Sequence, residues 1–259
     1  MSSVSADRRR PVGATTQVAV VGSGRLARAI RDHCVERGAT VTLHSRSTGF
    51  DVHDDEPSGR LGEPDVVVEA TDVFTQSAGR AKEFFRRSTR AVKVEARAAG
   101  AKHVLVSIIG CTRPEVQANG YYAGKAEQER VAEAEHERLT IVRSTQWHEF
   151  ARQNVDRMRV GPLAVVPAMT VQPVALASVA EVVAQCVAGE RPERSYDLAG
   201  PEVTTLWEMT RALPDRPRLL APLPVPGRAG KAFRDGGLLP GPDAEILGPT
   251  FEEWLRLRA

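Results

Sequence analysis

The sequence predicts an α/β protein, a doubly wound parallel sheet with a small C-terminal substrate lobe. Three observations predict it. Short apolar runs recur through residues 16–160, separated by stretches with helical spacing of apolar residues. A glycine-rich turn, Gly22 to Ala27, follows the first run directly. After Val160 the rhythm breaks, and prolines and glycines become frequent.

The elements follow in order. Residues 1–15 read as a flexible polar tail, in which Arg8, Arg9 and Arg10 form a solvated basic run. Gln17–Val21 (QVAVV) is the first strand. Leu26, Ala29, Ile30, Cys34 and Val35 place a helix over 25–37, and Gly38 closes it from just beyond its end. Thr40–Leu43 is β-branched and reads as the second strand. Asp65–Val68 (DVVV) is the third, apolar on both faces like a buried parallel strand. One helix, or two with a break near Ser88-Thr89, covers 77–99. His103–Ile109 (HVLVSII) is the fourth strand, 121–138 a charged helix, Thr140–Val142 the fifth strand and 146–157 a further helical stretch.

In the last third, short strands are expected at 163–166, 170–174 and 196–199, with helices at 176–187, 206–213, 227–233 and 251–257. The Pro-rich run 214–226 reads as an extended connector. The organisation expected is therefore a tail (1–15), a nucleotide-binding domain (16–160) and a substrate lobe (161–259) that shares the core of the sheet.

Charge and composition narrow the function. Lys plus Arg is 35 against 33 for Asp plus Glu, a net +2 too balanced to imply a nucleic-acid partner. The three cysteines, Cys34, Cys111 and Cys186, lie far apart without a CxxC. That predicts a reducing compartment and no metal site. The polar Met1–Ser5 start is not followed by an apolar stretch, and no run is long enough to span a membrane. The expectation is a cytoplasmic protein with a small-molecule substrate, as monomer or homodimer.

The turn Gly22-Ser23-Gly24-Arg25-Leu26-Ala27 is G-x-G-x-x-A. Gly22 permits the tight turn, Gly24 removes a side chain where backbone meets a pyrophosphate, and Ala27 lets the helix pack on the strand. The free N–H groups of the helix start then face the phosphates. This is the fingerprint of a Rossmann-type dinucleotide site. Beyond it, the second strand ends His44-Ser45-Arg46, where an NAD site usually carries an acid for the ribose 2′-hydroxyl. Arg46 suits a 2′-phosphate instead, and Arg25 can approach the same group. NADP is the expected cofactor, with NAD possible. Cofactor contacts are expected from Gly22, Ser23, Gly24, Arg25, Leu26, Ser45, Arg46, Ala70 and Lys125.

Ser107 stands at the end of the fourth strand, and Tyr121 and Lys125 lie four apart on the next helix, so they share a face. Tyrosine near a lysine ammonium is drawn toward its phenolate and can exchange a proton with a substrate oxygen. Serine can bond the same oxygen and steady developing charge. Ser107, Tyr121 and Lys125 are the expected catalytic residues, with Lys125 also holding the nicotinamide ribose. Tyr122 points elsewhere on the helix and is expected to pack.

Several segments together resemble the short-chain dehydrogenase/reductase superfamily, and more closely its atypical NmrA-like and NAD(P)-binding epimerase-like branch. They are VAVVGSGRLARAI (18–30), VEARAAGAKHVLVSIIG (94–110), YYAGKAEQE (121–129), LTIVRSTQWHEF (139–150), the 164–189 stretch, LAGPE (198–202), FRDGGLLPG (233–241) and TFEEWL (250–255). The resemblance implies the superfamily's Ser, Tyr and Lys roles for Ser107, Tyr121 and Lys125. It implies that Ser144–Phe150 lines the crevice, although His148 alone reads as a capping or core histidine. It also implies one of three functions. The first is an NADP-dependent oxidoreductase moving hydride to or from a small carbonyl, alcohol or activated alkene. The second is a non-catalytic redox-sensing regulator that binds the dinucleotide. The third is a sugar-nucleotide epimerase-like enzyme. Two departures stand out. The branch usually has G-x-x-G-x-x-G, one residue longer in the turn, and Glu69 follows the third strand where small residues run beneath the cofactor.

Overall fold

The computed structural model describes residues 15–51, 59–134 and 138–258. The expected tail, up to residue 14, lies outside the described residues. The chain runs through β1 (Gln17–Val21), α1 (Arg25–Glu36), β2 (Thr40–His44), β3 (Val66–Glu69), α2 (Ala78–Ala99), β4 (Lys102–Ile108), α3 (Gly120–Glu133) and β5 (Leu139–Ser144). There follow α4 (Phe150–Met158), β6 (Arg159–Val160), β7 (Leu163–Pro167), β8 (Thr170–Val171) and α5 (Leu176–Ala188). The last elements are β9 (Ser195–Ala199), β10 (Thr204–Thr205), α6 (Leu206–Ala212), β11 (Leu219–Leu223), α7 (Gly227–Arg234), β12 (Glu245–Ile246) and α8 (Phe251–Arg256).

Seven strands form one parallel sheet in the order β12-β9-β5-β4-β3-β1-β2. The fold is a Rossmann-like doubly wound α/β sheet, as the valine runs predict. Val18, Val20, Val66, Val68, Val104, Val106 and Val142 bury one face under α1 and α5. Ala19, Val21 and Val67 bury the other under Ala91, Val92 and Ala96 of α2. Each fully buried valine contributes about 1.5–3 kcal/mol, which is why these strands are apolar on both faces. From β1 the chain winds outward to β2, then returns to β3 and winds the other way. The reversal lies between β1 and β3, and ligands of such sheets bind outside the carboxyl ends of the strands at that point.

The sheet does not end at residue 160. After β6–β8 the chain returns, so that α5 packs beside α1 and β9 and β12 extend the sheet beyond β5. The remaining elements share a second core, in which Ala151 and Val155 of α4, Val166 of β7, Met209 of α6 and Phe233 of α7 meet Cys111, Val116 and Tyr122.

Of the one or two helices expected over 77–99, the structure has one, unbroken over 78–99, with Ser88 and Thr89 fully buried within it. It corrects several other expected elements. The helix from 121 ends at Glu133 rather than continuing to 138. Residues 146–149 form a loop, with Trp147 bridged to Val174, and α4 starts only at Phe150. Of 170–174, only Thr170–Val171 is strand. The Pro-rich stretch is not merely a connector, because β11 inside it pairs in parallel with β7. Pro222 is tolerated there because β11 is the edge of its three-stranded sheet.

Candidate active site

The glycine turn sits at the switch point. Gly22 adopts φ +145°, and a Cβ there would lie 2.6 Å from the carbonyl oxygen of Ala70. That close approach ties the end of β1 to the end of β3, together with Ala70 N–H donating to Val21 O at 2.9 Å. Gly22 N–H donates to His44 O at 2.8 Å and so ties β2 as well. Gly24 differs, since a Cβ on it would meet no atom within 4 Å. Packing of the chain does not require glycine at 24, and the open space above it is where a ligand's phosphates can approach.

Gly24 is the N-cap of α1, with no side-chain cap and no acid in the first turn. The first N–H groups of this 12-residue helix therefore lack intrahelical or side-chain partners, the arrangement that accepts a phosphate. Arg28 donates to Ser23 O at 3.1 Å and steadies the turn. Leu26 and Ala27 are buried against the sheet. Arg25 and Arg46 are exposed, and neither side chain has a hydrogen-bond or ion-pair partner among the described residues. Ser45 is half-buried beside Arg46, its hydroxyl 2.8 Å from that of Ser47. These residues fit a dinucleotide with a 2′-phosphate.

Glu69 is fully buried, yet it does not aim at the turn. On β3 it shares the face of Val67, toward α2 and α3. Thr89 Oγ1 donates to it at 2.8 Å, Gln128 Nε2 at 2.7 Å, Ser88 Oγ at 3.1 Å and Thr71 Oγ1 at 3.1 Å. His103 Nε2 lies 3.1 Å from its second oxygen. Burial pushes this carboxyl up, but the His103 ring and the bonds from Thr89 and Gln128 outweigh it and hold the carboxyl below its usual range. The acid that looked awkward beneath a cofactor is instead the hub of a polar platform under the helices.

Tyr121 and Lys125 share one face of α3, both turned to Phe85 of α2. The Tyr121 ring lies 6.2 Å from the Phe85 ring, and Lys125 Nζ lies 5.1 Å from it. Lys125 is buried, and its ammonium donates to Val106 O at 2.9 Å, just before Ser107, and to Gln128 Oε1. Burial pushes its pKa down, opposed by Asp72, Cys111, Glu69 and Glu129. Ser107 is buried with its hydroxyl 3.8 Å from the Cys111 sulfur, and Cys111 donates to Glu129, which Arg143 holds at 2.8 Å. No hydrogen bond joins Ser107, Tyr121 and Lys125 to one another among the described residues.

The sequence led us to expect a phenolate at Tyr121, and the surroundings of the ring oppose it. Its pKa is pushed well above the ordinary value, first by burial and then by the negative charge of Asp72. The lysine charge is spent on Gln128 and a backbone carbonyl. Tyr121 is thus a neutral phenol and a proton donor. The residues that sequence reasoning missed are Thr89, His103 and Gln128, which gather around Glu69 from three separate elements and are marked by no motif.

The Ser144–Phe150 segment is built inward. Trp147 donates to Ser144 Oγ at 3.0 Å, and Gln146 to the Tyr122 hydroxyl at 3.4 Å. His148 is fully buried among Phe251 and Trp254 of α8, with Nε2 3.1 Å from Pro249 O. It is a core histidine. Tyr122 packs against Phe233 at 5.5 Å between ring centroids, as expected. Among the described residues no helix is long and apolar enough to cross a membrane, and no group of acidic, histidine and cysteine side chains is arranged to hold a metal.

No protein-family model and no curated protein matches the chain. Solved structures do. A dTDP-4-dehydrorhamnose reductase from Bacillus anthracis, solved with NADP, is 13% identical with TM-score 0.63, covering 94% of this chain and 97% of its own. An NADPH-dependent quinone oxidoreductase from Escherichia coli, solved with NADPH, is 13% identical with TM-score 0.64, over 93% and 99%. A triphenylmethane reductase from Citrobacter, solved with NADP(H), is 13% identical with TM-score 0.62, over 93% and 99%. The chain therefore has, over nearly its whole length, the Rossmann-like fold of these reductases.

Proposed function

We propose that this protein is an NADP-dependent oxidoreductase that reduces a small carbonyl compound or activated alkene. The observation that carries the reading is the start of α1. Its N–H groups are uncapped behind a Gly24 whose missing Cβ leaves open space, and Arg25 and Arg46 are exposed beside it without partners among the described residues. NADP or NADPH bound to the neighbours of this fold supports the same cofactor here. In this reading the turn residues Gly22, Ser23, Gly24 and Leu26 hold the pyrophosphate. Ser45, Arg46 and Arg25 hold the 2′-phosphate, and Ala70 lies against the cofactor's path at the switch point.

NADPH, when bound, supplies the hydride. Tyr121, kept as a neutral phenol, gives its proton to the oxygen that gains charge. Ser107 bonds that oxygen, and Lys125 orients the ribose once its ammonium turns from Gln128. The test is NADPH consumption across a panel of aldehydes and quinones. Turnover that Tyr121→Phe abolishes, with NADPH binding intact, supports the reading.

A second reading is a regulator that senses the dinucleotide without turnover. It is favoured by the separate engagement of Ser107 with Cys111 and of Lys125 with Gln128. NADPH binding without consumption on any substrate supports it.

A further inference from the structure

Among the described residues, the buried Lys125 ammonium donates only to neutral oxygens, Val106 O at 2.9 Å and Gln128 Oε1. A buried charge is costly unless a counter-charge reaches it. Gln128 links it to one. Its amide is fully buried, and Nε2 donates to Glu69 Oε1 at 2.7 Å and to Thr71 Oγ1 at 3.3 Å. Chemistry fixes the direction of this amide. A carboxylate only accepts, and the Thr71 hydroxyl hydrogen goes to Glu69 at 3.1 Å, so both of these neighbours demand the NH2 end. An ammonium only donates, so Lys125 demands the oxygen. One orientation satisfies all three. Glu69 of β3, Gln128 and Lys125 of α3 thus form a line from carboxylate through amide to ammonium, and all three side chains are buried.

We propose that Gln128 is a positioning residue for Lys125, and that Glu69 is the counter-charge of the ammonium, coupled to it through the Gln128 amide. The pair keeps Lys125 charged and directed while the cofactor is absent. The use of that charge at the ribose rests on the reductase reading above. The other groups around the ammonium do not replace Glu69. Asp72, from the loop after β3, is exposed, where water screens its charge. Glu129, on α3, is held by Arg143 at 2.8 Å. Cys111, from the loop after β4, is kept a neutral thiol by burial. Tyr121, one turn back on α3, is a neutral phenol, and α2 presents the Phe85 ring. His103, on β4, lies against the second oxygen of Glu69 at 3.1 Å and leaves Oε1 to Gln128.

The chain has five lysines, so their charge can be followed one by one. Full-length protein without cofactor, labelled with carbon-13 at the lysine ε carbon, gives one resonance for each, and Lys125→Met assigns the one of interest. In Glu69→Gln that resonance should titrate with a midpoint lower by about one pH unit or more, a tenfold loss of proton affinity. Gln128→Met, which keeps the length of the side chain but breaks the link, should lower it likewise. Exchanging the two residues in one chain, Glu69→Gln with Gln128→Glu, moves the carboxylate next to the ammonium. The midpoint should then return to the wild-type value or rise above it, a recovery that a packing role alone does not give. The exchange variant serves by itself if the single variants do not fold. An unchanged midpoint in either single variant, or one below wild type in the exchange variant, overturns the proposal. The measurement needs neither cofactor nor turnover. The expected shifts in a protein that binds no NADPH support the coupling and remove the reductase reading instead. Unshifted midpoints in a protein that consumes NADPH overturn the coupling alone.

Discussion

Arg46 is the residue on which cofactor preference turns. Its guanidinium is exposed at the end of β2, where an acid would select NAD. Losing a charged hydrogen bond costs about 1.5–3 kcal/mol. Arg46→Ala should therefore weaken NADPH binding by roughly tenfold to a hundredfold and NADH much less, as measured by calorimetric titration. Equal loss for both would remove the 2′-phosphate assignment. This much is legible in the sequence, because residue type and position relative to a strand end suffice. The direction of Glu69 was not legible, since a strand-end side chain can face either helix layer until the sheet is assembled.

Among the elements, the turn into α1 separates structural from ligand-directed glycine. Gly22→Ala forces a side chain into a positive-φ backbone and onto Ala70 O. A strain of about 1–3 kcal/mol follows, which urea unfolding should detect whether or not cofactor is present. Gly24→Ala has room for its methyl and should leave stability within about 0.5 kcal/mol while weakening NADPH binding. Similar losses of stability in both variants would mean that Gly24 is kept for the fold. Helix α2 carries the other lesson at this scale. Ser88 and Thr89 interrupt the apolar pattern and read as a break, but both serve the buried Glu69. Thr89→Val should cost about 1.5–3 kcal/mol in urea unfolding, because it strips a donor from a buried carboxylate. A change below 0.5 kcal/mol would mean that Gln128 and Ser88 compensate. Strand β11 was hidden for a similar reason. Proline lowers strand propensity locally, and only pairing with β7 offsets it.

For the whole molecule, the core and the C-terminal segment respond to pH through His148. Burial lowers its pKa, Pro249 O opposes that, and Arg258 adds to it. The unfolded chain, with an ordinary histidine near 6.5, therefore binds more protons than the folded one below that value. The contribution to stability is present in full above pH 6.5 and is lost as pH falls toward the lower folded value. His148→Gln keeps a donor for Pro249 O but cannot titrate, so its thermal midpoint should fall less between pH 7 and pH 5 than that of the wild type. Parallel curves would show that other groups set the acid limit. The fold itself was legible at this scale. Parallel valine runs, each followed by a helix, leave few topologies. The return of α5, β9 and β12 to the main sheet was less so, because β12 has only two residues and no pattern of its own.

All of these scales meet at the start of α1, and titration calorimetry of the full chain with NADPH and NADH tests it most directly. The account predicts one NADPH per chain, NADPH bound more tightly than NADH, and weaker binding in both Gly24→Ala and Arg46→Ala. Absence of binding by either dinucleotide up to about 1 mM, or binding that neither variant alters, would contradict it.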